Sequence, residues 1–261
     1  MREGRTVNLL IDLRNVSVEF GGKLFRPGAT VRALDTVSLA VTRGERHGLV
    51  GESGSGKTTL GRVILGLQGA TEGRVCVLGG DPAALSGGHR RRFRRRVQTV
   101  FQDSAASLNP RLTIGASVRE GLDIHNIGDS RDREEMVVAM LRRVGLDANY
   151  AARFPHELSG GQRQRINIAR GLVIEPEILV ADEPVSALDV SVQAQILDLL
   201  GRLHDEMGLT MVFISHDLHV VREICETVSV MQDGRIVEAG ATEQIFDSPA
   251  NEYSKLLLAA I

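Results

Sequence analysis

Residues 46–59 read "RHGLVGESGSGKTT". A short apolar run enters a glycine-rich turn, and the turn opens into "KTTLGRVILGLQ" (57–68), whose apolar residues recur at helical spacing. Strand, glycine loop and helix form the setting in which G-x-x-x-x-G-K-[ST] acts as a phosphate loop. Gly51, Gly54 and Gly56 let backbone amides turn inward around phosphate oxygens, with Glu52, Ser53 and Ser55 completing the loop. The helix N-terminus adds positive potential. Lys57 is expected to reach the β- and γ-phosphates, Thr58 to bind Mg2+ and Thr59 to donate to an α-phosphate oxygen.

Outward from the loop, "LIDLRNVSVEF" (10–20) and "VRALDTVSLAV" (31–41) alternate apolar and polar residues, the period of half-buried strands. Phe20 ends the first of them and is the candidate to stack on a purine base, with Phe25 as a rival. "RVCVLGG" (74–80), "VQTVFQ" (97–102), "EILVADEP" (177–184) and "TMVFISHD" (210–217) read as further strands. "VSVMQDGRIVEAG" (228–240) reads as a hairpin around Asp233-Gly234. From about 109 to 170 the pattern turns helical, and strands then alternate with helices again. The predicted class is α/β, with a mostly parallel sheet, an antiparallel N-terminal part and an inserted helical subdomain. The subdomain is placed at 109–170, and the α/β core at 1–108 and 171–261, within one domain.

Four further positions suit a nucleotide triphosphate. Asp182 ends the apolar "ILVAD", where a carboxylate holds Mg2+ through its water shell. Glu183 follows it, on the opposite side by strand alternation, and can polarise an attacking water. Gln102, after "VQTVF", is placed to complete the metal shell. His216, after "TMVFIS", stands where α/β sheets put their ligands and can hydrogen-bond the γ-phosphate. A second glycine turn, "ELSGGQRQR" (157–165), also opens a helix, so one chain carries two phosphate-binding turns.

Composition narrows the partners. With 31 Lys+Arg against 33 Asp+Glu, no global attraction draws the chain to nucleic acid or anionic lipid. Aromatics are 3% and Trp is absent, which disfavours a stacking platform for single strands. The arginines of "HRRRFRRR" (89–96) read as a solvated helix face. Cys76 and Cys225 read as a buried, reduced pair. No apolar run reaches the length of a membrane span, and the N-terminus has no apolar signal core, so a cytosolic chain is expected.

"GESGSGKTT", "VFQD", "LSGGQRQR", "ILVADEP", "SALD" and "FISHD" follow one another in that order. The series resembles the nucleotide-binding subunits of ABC transporters over essentially the whole chain. The resemblance implies that the core binds and hydrolyses ATP with Mg2+. It also implies that two cassettes, identical or paralogous, pack head to tail. Ser159, Gly160, Gly161 and Gln162 would then serve the partner's nucleotide, and Asp189 would lie at that interface. A narrower resemblance, carried by "VFQDSAASLNPR" and "ARFPHELSGGQRQRINIARGL", is to the ATPase subunits of dipeptide, oligopeptide and nickel importers. It implies import of peptides or of nickel and metal chelates, two membrane permeases, a solute-binding protein, and a peripheral place on the cytoplasmic membrane face. "SPANEYSKLLLAAI" resembles the point where many peptide-importer subunits continue into a cysteine-rich extension. The rival is a soluble ABC ATPase working on nucleic acid. Its repair-type members insert a long coiled coil for which the spacing of 57 residues from Gln102 to Ser159 leaves no room.

Overall fold

The computed structural model describes residues 8–21, 30–101 and 104–259. In chain order these form β1 (Leu9–Phe20), β2 (Val31–Thr42), β3 (Arg46–Val50), α1 (Lys57–Ile64), β4 (Glu72–Val77), α2 (Gly87–Arg96), β5 (Val97–Val100) and α3 (Ser104–Ser107). There follow α4 (Ile114–His125), α5 (Ser130–Arg143), α6 (Gly160–Leu172), β6 (Ile178–Asp182), α7 (Val190–Met207) and β7 (Thr210–Ser215). The chain closes with α8 (Leu218–Ile224), β8 (Thr227–Gln232), β9 (Arg235–Ala241), α9 (Thr242–Asp247) and α10 (Glu252–Ala259). They fall into two compact units, one of residues 1–93 with 210–261 and one of residues 94–209.

In the first unit, β1 pairs antiparallel with both β2 and β4. β2 buries alternate residues from Val37 to Val41, whereas β1, with shifts in its register, buries Leu10 beside Ile11 and Val16 to Val18 in succession. β3 lies parallel between β7 and β8. "TMVFIS" is buried at every position, because a central parallel strand is covered on both faces. β8 turns back through Asp233 and Gly234 into antiparallel β9, with Gln232 opposite Arg235. Both turn residues have positive φ, 47° and 78°, which is what a two-residue hairpin of this hand demands.

A polar network is buried at the start of β3. Glu45 accepts hydrogen bonds from the amide and hydroxyl of Thr42, both at 2.7 Å, and from the Thr227 hydroxyl at 2.5 Å. The buried His47 ring lies 2.7 Å from Thr227 Oγ1 and 2.9 Å from Ser229 Oγ. Burial alone would raise the Glu45 pKa. The hydrogen bonds from His47, Thr227 and Thr42 outweigh it and hold the carboxyl at about 2. The network ties β2, β3 and β8 together just before β3 delivers the glycine loop.

In the second unit, β5 and β6 form a parallel pair and α4, α5 and α6 pack on one another. The helical stretch expected at 109–170 lies inside this unit. Its helices start on side-chain caps: Thr113 for α4, Asp129 with Asp132 for α5, and Ser159 with Gln162 for α6. α7 stops at Gly208, whose φ of 61° is the left-handed helix end that glycine tolerates.

The arginine run forms α2, exposed throughout except at Phe93, as a solvated helix would be. Cys225 is buried, but Cys76 is only half-buried on β4, so the two are not a buried pair. β5 ends at Val100, and Gln102 and Phe25 lie outside the described residues.

Candidate nucleotide site

The phosphate loop begins where β3 ends. Gly51 and Gly56 adopt φ of 149° and 105°, a region L side chains rarely enter. A Cβ on Gly51 would stand 2.1 Å from the Met231 carbonyl oxygen, and one on Gly56 would stand 2.7 Å from that of Ala33. The loop is therefore pressed against its own unit and has room only for glycine at these points. Ser55 donates its amide to Glu52 O at 3.2 Å and accepts from the Gly234 amide at 3.0 Å.

Lys57 is 6% exposed, and its ammonium donates to the carbonyls of Gly51 and Glu52, both at 2.7 Å, and to Ser55 Oγ at 3.4 Å. A cation is thus seated on carbonyl oxygens within the loop. Gly56 is the N-cap of α1 and brings no side-chain hydrogen bond to the first turn. The leading amides of α1 keep the positive potential that anions seek at a helix N-terminus. This cradle fits a polyphosphate.

Thr58, in that same first turn, is exposed. Among the described residues no three His, Cys, Asp or Glu side chains cluster to hold a metal. The Thr58 hydroxyl is a hard oxygen donor of the kind Mg2+ takes.

His216 directly follows β7. Ser215 is the register partner of Val50 on parallel strands, so the phosphate loop and His216 start from the same end of one sheet. His216 is exposed, between the buried Ser215 and Asp217, which caps α8. Phe20 is 40% exposed at the end of β1, opposite Val31. An aromatic face left in solvent at a strand end suits a base.

The second unit holds the other candidates. Asp182 is the last residue of β6 and is half-buried. Glu183 lies beyond the strand with φ of 47°, so strand alternation does not set its direction. A glutamate held left-handed costs on the order of 1–3 kcal/mol, and such strain gathers at functional sites. Ser186 secures the turn by donating its hydroxyl to Glu183 O at 3.2 Å. Gln193 does the same for the "SALD" segment, donating to the carbonyls of Val185 and Leu188. Asp189 is exposed at the N-cap of α7 and makes no side-chain cap there.

In the second glycine turn, Ser159 Oγ accepts from the Gln162 amide at 3.3 Å, and Gln162 Oε1 accepts from the Ser159 amide at 3.0 Å. The Ser159 hydroxyl is exposed and keeps its proton for a further acceptor. A Cβ on Gly161 would meet Val192 Cγ1 at 2.6 Å, so α7 packs where only glycine fits. Gln162 Nε2 donates to the Tyr150 hydroxyl at 3.0 Å, and the Arg153 guanidinium lies 4.2 Å from the centre of the Tyr150 ring.

The residues missed by sequence reasoning are these supports. Tyr253 acts through a contact 201 positions away, Tyr150 through one 12 positions away, and Gln193 through contacts five and eight positions away that carry no sequence signature. The ABC transporter family model matches residues 34–186, more than half of the chain. The chain belongs to the ABC transporter family. A putative peptide import ATP-binding protein of Brucella ovis is 52% identical over 233 residues, 89% of this chain and 74% of that protein. An oligopeptide transport ATP-binding protein of Bacillus subtilis is 45% identical over 256 residues, 97% of this chain and 78% of that one. Among solved structures, the dimeric post-hydrolysis state of an ATP-binding cassette with ADP and Pi superposes with a TM-score of 0.78 at 31% identity. That match covers 89% of this chain and 98% of the cassette. ABC transporter ATP-binding proteins bind ATP and are ATPases coupled to transport. The relatives favour this activity over a nucleic-acid ATPase. Among the described residues no helix is long and apolar enough to cross a membrane.

Proposed function

We propose that this ABC ATPase energises import of peptides through a pair of membrane permeases, bound at the cytoplasmic membrane face. The observation that carries the solute class is the 52% identity to a putative peptide import ATP-binding protein. The alternative of nickel or metal chelates rests on sequence resemblance alone. A solute-binding protein would deliver the cargo, and the permeases would select it.

The proposed division of labour follows the chemistry of the residues. Gly51–Thr59 hold the phosphates, with Lys57 neutralising charge on the β- and γ-phosphates. Phe20 stacks on adenine. Thr58, Asp182 and Gln102 would hold Mg2+, which when bound offsets phosphate charge. Glu183 orients the attacking water and takes its proton, and His216 hydrogen-bonds the γ-phosphate and steadies that water. The helical subdomain is placed at 109–170. Its turn at Ser159–Gln162 serves the nucleotide of a second cassette, identical or paralogous, so ATP closes the pair and hydrolysis opens it. A dimeric relative holding ADP and Pi supports this arrangement.

The test is ATP turnover by Lys57→Ala in the complex with its permeases. Turnover should fall to background, because the main cation on the transferred phosphate is gone. Turnover near wild type would remove the phosphate-loop assignment. Uptake of a labelled oligopeptide, against nickel, by cells carrying the intact transporter decides the solute class.

A further inference from the structure

The chain has two tyrosines, and both hydroxyls rest on glycine turns assigned to nucleotide. Tyr253 is the less expected of them, because it stands in α10, 201 positions from its partner. Its hydroxyl accepts the Glu52 amide hydrogen at 3.2 Å. The carbonyl of the same residue accepts from Lys57 Nζ at 2.7 Å and from the Ser55 amide at 3.2 Å. Glu52 is therefore held on both sides, by Tyr253 through its N–H and by the loop lysine through its C=O.

Tyr253 is itself firmly mounted. Glu238 on β9 accepts the amides of Ala250 at 2.7 Å and Asn251 at 3.2 Å, just ahead of α10. Asn251 Oδ1 accepts the Tyr253 amide at 2.8 Å. β9 runs from the hairpin turn whose Gly234 amide also grips the loop, at Ser55 O. Burial raises the phenol pKa, the hydrogen bond from the Glu52 amide opposes it, and the Glu52 and Asp233 carboxylates add to the rise, so the net shift is upward. The hydroxyl thus stays neutral, an acceptor for Glu52 with its proton in place.

We propose that Tyr253 is a positioning residue for the phosphate loop, and that α10 through it sets the affinity for nucleotide. The proposal rests on residues 51–59 being the nucleotide phosphate site. With the hydroxyl in place, the first peptide of the loop is ordered before nucleotide arrives. Without it, that peptide and the carbonyls under Lys57 must be ordered at the expense of binding. One lost neutral hydrogen bond corresponds to a roughly two- to tenfold weaker Kd.

The experiment is calorimetric titration of the full chain with ATP and Mg2+, for wild type, Tyr253→Phe and Lys57→Ala. Tyr253→Phe should weaken binding by that factor with the nucleotide-free melting temperature little changed. In the assembled transporter KM for ATP should rise while kcat holds. An unchanged Kd in Tyr253→Phe beside a strongly impaired Lys57→Ala overturns the proposal and leaves the loop assignment standing. Wild-type affinity in Lys57→Ala overturns the loop assignment and the proposal with it. A lower melting temperature with unchanged Kd marks a structural role only, and overturns the proposal too. Ring-labelled tyrosine NMR of the unmutated chain gives an independent reading. Nucleotide should shift the Tyr253 signal and leave that of Tyr150 in the isolated monomer, and an unmoved Tyr253 signal at saturation contradicts the proposal.

Discussion

Gly234 donates its amide hydrogen to the carbonyl of Ser55 at 3.0 Å, so the turn of the β8–β9 hairpin is a clamp on the phosphate loop. The Gly234 carbonyl accepts the Asp35 amide at 2.8 Å, which carries the same turn to β2. Three segments of the chain meet at this one residue.

Gly234→Ala tests the clamp. A Cβ there would lie 2.9 Å from the Ala33 carbonyl oxygen, at a φ of 78° that alanine adopts only under strain. The variant should lose about 1–3 kcal/mol of stability and bind ATP more weakly. Thermal melting paired with nucleotide titration checks both. A variant weaker in melting but unchanged in affinity would show that the hairpin supports the fold and not the loop.

Much of this was legible in the residues. The glycine loop, the acid-ended strand at Asp182 and the two-residue hairpin are local signals, each complete within a dozen positions. β6 and β7 were legible because buried parallel strands are near-continuous apolar runs, and β3 because it leads into the glycine loop. The supports were not. Tyr253 reaches Glu52 across 201 positions, and His47 reaches Ser229 across 182. No periodicity encodes such contacts, which exist only once the sheet has brought distant segments together. The left-handed turn at Glu183 was hidden for a different reason. A run of strand residues ending in acids gives no sign of where the backbone leaves the strand, and alternation was carried one residue too far.

Glu183→Gln should retain ATP binding and lose most hydrolysis, since the amide keeps the shape but cannot take a proton. Loss of a positioned general base corresponds to about a hundred- to ten-thousandfold in kcat. Single-turnover hydrolysis with a parallel binding titration measures the two separately. With the correct partner cassette present, the variant should accumulate on sizing as an ATP-bound pair. Wild-type turnover in this variant would exclude Glu183 as the base.

The Glu45 network predicts the acid limb of stability. The carboxyl is held at about 2 in the folded chain, against an ordinary value of 4.5. A depressed carboxyl stabilises the fold above its ordinary pKa. That contribution is lost as pH falls from about 4.5 towards about 2, when protonation becomes favourable in the unfolded chain first. Glu45→Gln should therefore be less stable than wild type at pH 7, and the gap should narrow across this window. Melting temperatures of the two proteins from pH 7 to pH 3 check it. A constant gap would mean that the carboxylate charge contributes nothing.

The claim that the two glycine turns serve different nucleotides is tested most directly at Ser159. An arginine there would fill the space meant for a γ-phosphate and prevent closure of the pair. The measurement is photo-labelling of isolated Ser159→Arg with an azido-ATP, followed by ATP turnover in the assembled transporter. If Ser159 faces the partner's nucleotide, labelling of the isolated chain equals wild type and turnover collapses by at least about tenfold, as expected for loss of one charge-assisted donor. Labelling lost in the isolated chain would mean that the turn binds its own chain's nucleotide, and would contradict the account.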